Sequence, residues 1–367
     1  MTTNNEILFT PAQIAKSTIH NKLAVAPMTR VSAQEDGTAG PLMKTYYENF
    51  ARGGFGLIIT EGLYTDTLYS QGYFKQPGIA TQEQANSWKV IVKGVQHQGA
   101  VIIAQLMHAG ALSQYNRFTT ETIAPSPVPP LGKQMKFYYG DGPYRLPKAM
   151  SHDDIEEVVQ GFVSSALHAK SAGFDGVEIH GANGYLLDQF LTSYTNQRQD
   201  EYGGELGGRL RIYKQIIQAV RHAVGDDFIV GVRFSQKKVN DTEYLWPEGE
   251  AAAAQIFTMA KECMVDYIHT TEPMLNEPAF RASIPLSALA KKYSGLPVIA
   301  NGGVSEPQQA AEVLEKRQTD LVALGKIALS NQDWPNVVKN GANITNFDFA
   351  MLSPIADLEC AKHFINK

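Results

Sequence analysis

The chain has 367 residues, of which 44% are hydrophobic and 19% charged, an ordinary balance for a globular protein. Its formal charge of −5 is spread without long runs of either sign, which argues against nucleic acid or an anionic membrane as a main partner. Cys263 and Cys360 form no CxxC, residues 1–6 lack a secretory pattern, and no run approaches the ~20 apolar residues of a membrane span, so a soluble cytoplasmic protein without a structural metal is expected.

Apolar runs and helical stretches alternate along the chain. Residues 22–28 read as a strand followed by Thr29 and Arg30, and 41–52 as a helix ending at Gly53 and Gly54. The run 57–62 is the next strand, Thr81 to Gln84 is a capping box opening a helix to about Gln98, and 100–106 is a third strand. Residues 123–147 carry six prolines and the cluster Phe137-Tyr-Tyr-Gly-Asp-Gly142, and they read as an excursion over the mouth of the fold. Ser151 to Asp154 caps a helix whose apolar face is Ile155, Val158, Val159, Phe162, Ala166 and Ala169, with a stop at Gly173. Strand 176–181 follows, then a polar loop over 192–208 and a helix over 209–224. Strands at 228–235, 267–272, 297–303 and 320–326 alternate with helices at 249–263, near 285–293, after a cap at 305–308, and at 333–339.

Eight apolar strands alternating with helices imply a (β/α)8 TIM barrel in a single domain over 1–367, with the excursion 113–148 and the loop 182–208 as insertions. An open doubly wound sheet would carry a GxGxxG turn after its first strand, where this chain has Pro27-Met-Thr-Arg30.

In such barrels the chemistry sits at the C-terminal strand ends. There the chain offers Pro27, Met28, Thr29, Gly62, Gln105, His180, Asn183, Arg233, Gly302, Gly303, Gly325 and Lys326. The glycines of the last two loops and Lys326 describe a phosphate cradle, with plain turns as the competing reading. Gln105 suits the edge of a pyrimidine-like ring, and Arg233 suits negative charge on it unless an internal salt bridge with Glu178 or Glu61 claims the guanidinium. A planar heterocycle with a phosphate tail follows, and flavin mononucleotide (FMN) fits better than a sugar phosphate. If 181–191 turns helical, His180 and Asn183 share a face and offer two donors to one oxygen, with Tyr185 adding an acid. Such a set suits a reaction that builds negative charge on a substrate carbonyl.

Ala26-Pro-Met-Thr-Arg30, Thr60-Glu-Gly62, Ala104-Gln-Leu106, Gly176-Val-Glu-Ile-His-Gly-Ala-Asn-Gly-Tyr-Leu-Leu-Asp-Gln-Phe190 and Asn196-Gln-Arg-Gln-Asp-Glu-Tyr-Gly-Gly204 resemble the old yellow enzyme family of FMN-dependent ene reductases, over about residues 7–340. The resemblance implies non-covalent FMN reduced by NADH or NADPH, and a small-molecule activated alkene as substrate. It places Thr29 near the flavin C4 carbonyl, Gly62, Gln105 and Arg233 on the pyrimidine ring, and Gly303, Gly325 and Lys326 at the phosphate. His180 and Asn183 would hold the substrate oxygen, and Tyr185 would protonate the α-carbon. Lys326 stands where the family commonly has arginine, a point charge in place of a bidentate fork. Met107 occupies a position often aromatic, and residues 108–112 lack the arginine frequently found after the glycine. Tyr69 and Tyr73 are candidate pocket aromatics, with plain packing as the alternative. Some members add a C-terminal iron–sulfur and nucleotide domain; this chain is expected to draw hydride directly from a nicotinamide.

Three other functions remain in view. Another FMN barrel dehydrogenase would use a Cys or Ser base near the flavin. A cofactor-free phosphosugar aldolase or isomerase would need a Schiff-base lysine or an interior carboxylate. A flavin-binding protein without catalysis would have no use for Tyr185. Monomer and homodimer are both compatible with the sequence.

Overall fold

The computed structural model describes residues 5–280 and 284–365, whose backbone closes the expected (β/α)8 barrel. The strands are β1 Leu23–Val25, β2 Leu57–Ile59, β3 Val101–Met107, β4 Gly176–His180, β5 Ile229–Phe234, β6 Tyr267–Thr271, β7 Val298–Asn301 and β8 Leu321–Leu324. Each is parallel to its sequence neighbours and β8 pairs with β1, so the barrel has no open edge. Several strands are shorter than the apolar runs that announced them. β1 stops at Val25 because the backbone turns over the rim before Pro27, which has no N–H for the ladder. β8 stops at Leu324, and Lys326 then opens a short helix instead of ending the strand.

Helices α1 Pro41–Arg52, α2 Gln82–His97, α3 His152–Ala172, α4 Arg211–Val224, α5 Glu250–Glu262, α6 Leu286–Ser294, α7 Pro307–Glu315 and α8 Trp334–Lys339 surround the barrel. The capping boxes read at Thr81 and Ser151 are formed, with Gln84 and Asp154 closing them. The cap before α7 is Glu306, paired with Gln309. All six residues of the apolar face expected on α3 are buried.

Alternation along the strands sorts side chains between two cores. Outward residues such as Val25, Ile58, Ile102, Val177, Val230, Ile268 and Val322 pack with the helices. Inward residues Ala24, Leu57, Ile59, Ile103, Ile229, Tyr267, Ile299, Leu321 and Ala323 fill the barrel. An N-terminal hairpin, Ala12–Ile14 with Ser17–Ile19, adds Ile14 and Ile19 to that inner core and covers the end of the barrel opposite the strand C-termini.

Above the apolar layer the inward positions turn polar, with Gln105, Glu178, Arg233, His269 and Asn301. The excursion lies over this end as a short parallel pair, Ile123–Ala124 with Lys148–Ala149, and a turn at Lys136–Tyr138. The second insertion carries the helix Leu186–Leu191 and a single turn at Leu206–Arg209. Beyond α8 the tail forms a turn at Phe349–Leu352 and a helix at Leu358–Ile365, neither anticipated from the sequence. No helix among the described residues is long and apolar enough to cross a membrane.

Gly231 points into the barrel, and a Cβ there would collide with the Tyr267 ring from the neighbouring strand. Gly231→Ala therefore forces Tyr267 aside in a packed interior and is expected to lower stability by about 1–3 kcal/mol. Chemical denaturation checks this; an unchanged midpoint would mean that the Tyr267 ring relocates freely.

Candidate functional site

β4 ends at His180, and the chain then makes a turn instead of entering a helix. Asn183 adopts φ +62°, a left-handed conformation that asparagine tolerates better than most residues, and Tyr185 is the N-cap of the helix that starts at Leu186. The expected stacking of residues 180 and 183 on one helical face is thus not formed. Both residues nonetheless line one cleft, together with Tyr185, because the left-handed turn redirects the chain between them.

The turn is fixed from two sides. The Asn183 N–H donates to Ser235 Oγ at 2.8 Å, and Val239 N–H donates to the Asn183 carbonyl at 3.2 Å. The Gly184 N–H donates to Asp188 Oδ2 at 2.6 Å, and both Asp188 oxygens accept from Lys238 Nζ at 2.9 Å in a buried ion pair. Burial pushes the Asp188 carboxyl up, against the downward pull of Lys238.

His180 lies beside Arg233 across the β4–β5 ladder. Burial first, and then the Arg233 charge, hold the imidazole well below its ordinary value, so it is neutral and can donate one hydrogen bond. Its Nδ1 is buried without a protein partner. The Tyr185 ring meets His180 edge-on at 5.0 Å, and its phenol lies 2.6 Å from the phenol of Tyr73. Burial raises the Tyr185 phenol, so the proton is held until an acceptor arrives. Tyr73 stands behind Tyr185, outside the cleft lining, while Tyr69 packs against the helix-side core. Of the two candidate aromatics, the structure connects only Tyr73 to the site, through Tyr185.

Pro27, Met28, Thr29, Gly62, Gln105, Met107, Arg233, Gly325 and Lys326 line the cleft. Met107 fills the space beside Gly62, where a Cβ would strike its sulfur. The Gly62 carbonyl accepts from Gln76 Nε2 at 2.7 Å. Thr29 hydrogen-bonds the Tyr138 phenol, which burial pushes up to about 12. At the floor, Gln105 Nε2 donates to Glu178 at 2.8 Å, and Arg233 Nη2 donates to Asn301 Oδ1 at 3.0 Å. The salt bridge weighed for Arg233 is not formed with Glu178 or with Glu61. Glu178 instead accepts from Gln105, Tyr267 and His269, while Glu61 accepts the Arg30 N–H at 2.9 Å. Arg233 Nε is left buried without a partner.

The cleft continues through Asn301, Gly325 and Lys326 into a second cavity, walled by Gly302, Gly303, Val304 and Ser305. Gly302 at φ +150° and Gly303 at φ +60° expose backbone where a Cβ on Gly302 would meet the Glu272 carbonyl. Lys326 Nζ sits 4.8 Å over the Phe349 ring, so its charge is held at the cavity by the C-terminal tail. Burial pushes the Glu272 carboxyl in the same wall up to about 7, which lowers its repulsion toward an anion. A planar ring on the Gln105–Arg233 floor with an anionic tail at Gly303 and Lys326 fits these donors, including the unpartnered Arg233 Nε.

Several residues of the site were not singled out from the sequence. Glu178, Tyr267 and His269 form the polar support inside the barrel, and Phe349 and Leu352 close the mouth from the C-terminal tail. The inner set carried a signal, because Tyr267, His269 and Thr271 recur at every second residue of a strand. The tail carried none.

Residues 7–344 match the NADH:flavin oxidoreductase / NADH oxidase family. The chain is 33% identical over 348 residues to an NADH oxidase of Thermoanaerobacter brockii, covering 91% of this chain and about half, 51%, of that protein. It is 34% identical over 368 residues to a flavin oxidoreductase of Emericella nidulans, covering 94% and 93% of the two chains. Among solved structures, an old yellow enzyme homologue from Zymomonas mobilis superposes with a TM-score of 0.87 at 28% identity, over 97% of this chain and 99% of that one. Morphinone reductase in complex with tetrahydroNAD superposes with a TM-score of 0.83 at 29% identity, over 94% and 93%.

Removing one partner of the buried Asp188–Lys238 pair strands a charge beneath the Gly184 turn. Lys238→Met is expected to cost about 3–5 kcal/mol. Thermal or chemical denaturation measures it, and a loss below about 1 kcal/mol, the level of an exposed pair, would contradict this account of how the turn is held.

Proposed function

The chain belongs to the NADH:flavin oxidoreductase / NADH oxidase family, the family of old yellow enzymes, and on that premise we propose that it reduces the C=C bond of α,β-unsaturated carbonyl or nitro compounds. Its cofactor is FMN and its hydride donor a nicotinamide dinucleotide, as the family and its tetrahydroNAD-bound relative indicate. Held in the cleft, FMN would supply the hydride chemistry that links the nicotinamide donor to the β-carbon of the alkene.

The chain's own residues supply binding, orientation and the proton. Gly302, Gly303 and Lys326, which wall the second cavity, would hold the phosphate, and Gln105 and Arg233 in the cleft would hold the ring. His180 and Asn183 donate to the substrate's oxygen, where negative charge grows as the β-carbon is reduced. His180 acts as a neutral donor, so it stabilises that charge without surrendering its own proton. Tyr185 then gives its phenolic proton to the α-carbon, and Tyr73 stabilises the phenolate left behind through their 2.6 Å hydrogen bond. The observation that carries this reading is the meeting of His180, Asn183 and the Tyr185 phenol at one cleft above an Arg233 with an unsatisfied donor.

The rival chemistries find less support. Cys263 follows α5 and Cys360 lies in the C-terminal helix, and neither lines the cleft as the base of another flavin dehydrogenase. Lys326 opens the short helix after β8, with its ammonium over the Phe349 ring rather than inside the barrel as a Schiff-base lysine would be. Glu178, an interior carboxylate, has its oxygens occupied by three donors and does not line the cleft.

Tyr185→Phe separates the two half-reactions. It is expected to slow alkene reduction by a factor of about 10²–10⁴, the usual worth of a general acid, while flavin reduction by the nicotinamide proceeds at near the native rate. Anaerobic stopped-flow absorbance follows each step, and equal slowing of both would remove Tyr185 from the proton transfer.

A further inference from the structure

Inward positions of a (β/α)8 barrel are ordinarily filled by branched apolar side chains. Here the layer beneath the cleft holds a carboxylate, Glu178, with no exposed surface. Its oxygens accept from Gln105 Nε2 at 2.8 Å, the Tyr267 phenol at 3.0 Å and His269 Nδ1 at 2.9 Å. Burying that charge is costly, and replacing it with a well-packed apolar side chain would serve the fold as well. Burial alone would raise the carboxyl, but His269, Arg233 and Gln105 outweigh it and keep Glu178 ionised.

Two consequences reach the cleft. An ionised carboxylate only accepts hydrogen bonds, so Gln105 must turn its nitrogen downward and present its oxygen to whatever lies above. The Arg233 charge, placed two residues further along β5 from the position opposite Glu178, is partly offset by the carboxylate without being captured in an ion pair. Arg233 instead spends one Nη on Asn301, which Thr271 and the Ala323 carbonyl hold in place.

We propose that Glu178 is a positioning residue for the cofactor ring: it fixes Gln105 as an acceptor, so that the floor selects a ring edge bearing an N–H, and its charge limits how strongly Arg233 favours negative charge on that ring. The proposal rests on the flavin reading given above. Without Glu178 the floor carries an uncompensated positive charge in a low-dielectric interior, which stabilises an anionic reduced ring over a neutral oxidised one.

Glu178→Gln keeps the shape and removes the charge. In the flavin-loaded protein, spectroelectrochemical titration is expected to give a midpoint potential more positive than native. Tyr267→Phe, which keeps both the charge and the Gln105 bond, is expected to stay near native. An unshifted potential in folded, flavin-loaded Glu178→Gln overturns the proposal. The native chain offers a second arm that needs no variant. Stripped of flavin, it is expected to bind FMN at least about tenfold tighter than 3-methyl-FMN, the worth of one well-made hydrogen bond. Equal affinities overturn the Gln105 assignment, whereas failure to bind FMN at all overturns the flavin reading beneath it.

Discussion

Ionised groups inside a closed barrel are the constraint on which the rest of this structure depends. Glu178 and Arg233 point into the interior, the first fully buried and the second nearly so at the cleft floor, and each would be costly there alone. Tyr267, His269 and Gln105 converge on the carboxylate, and Asn301 receives the guanidinium. These partners come from three different strands, β3, β6 and β7, so the network holds only if the barrel closes in register. Gly231 is part of the same arrangement, since the Tyr267 ring occupies the space its side chain would have taken. The polar layer therefore divides the barrel into a packed lower half that carries stability and an upper face that carries chemistry.

A similar economy governs the turn above it. Asn183 reaches the cleft through a left-handed residue, and the backbone on either side is tied to Ser235, Val239 and Asp188. Asp188 and Lys238 form a buried ion pair directly under the segment that delivers Asn183 and Tyr185. The proposed donor Asn183 thus rests on fixed backbone, and an electrostatic site works best when its dipoles do not reorganise.

The barrel was legible because its signals are local: apolar runs of strand length repeat eight times, with capping boxes at Thr81 and Ser151 and glycine stops at Gly53 and Gly173 between them. The strand-end residues were legible because the fold dictates where they point, and Gln105, His180, Arg233, Gly303 and Lys326 all line the cleft or its anion end. The rule behind His180 and Asn183 failed even though both residues reached the cleft, because a positive φ at asparagine leaves no periodic trace. Tyr69 and Tyr73 look alike in sequence, and only the path of the chain sends one to Tyr185 and the other into the helix-side core. The placement of Phe349 over Lys326 depends on a tail packing across the barrel mouth, a long-range contact that no local pattern encodes.

The central claim is that one cleft takes hydride from a nicotinamide and gives it to an activated alkene. The most direct measurement is the visible spectrum of the purified protein under anaerobic conditions, first with NADH or NADPH and then with an enone such as cyclohexenone. The account predicts a yellow flavin spectrum that bleaches with nicotinamide and returns when the enone is added. A bleached flavin that the enone leaves colourless, or a protein that takes up no flavin, would contradict it.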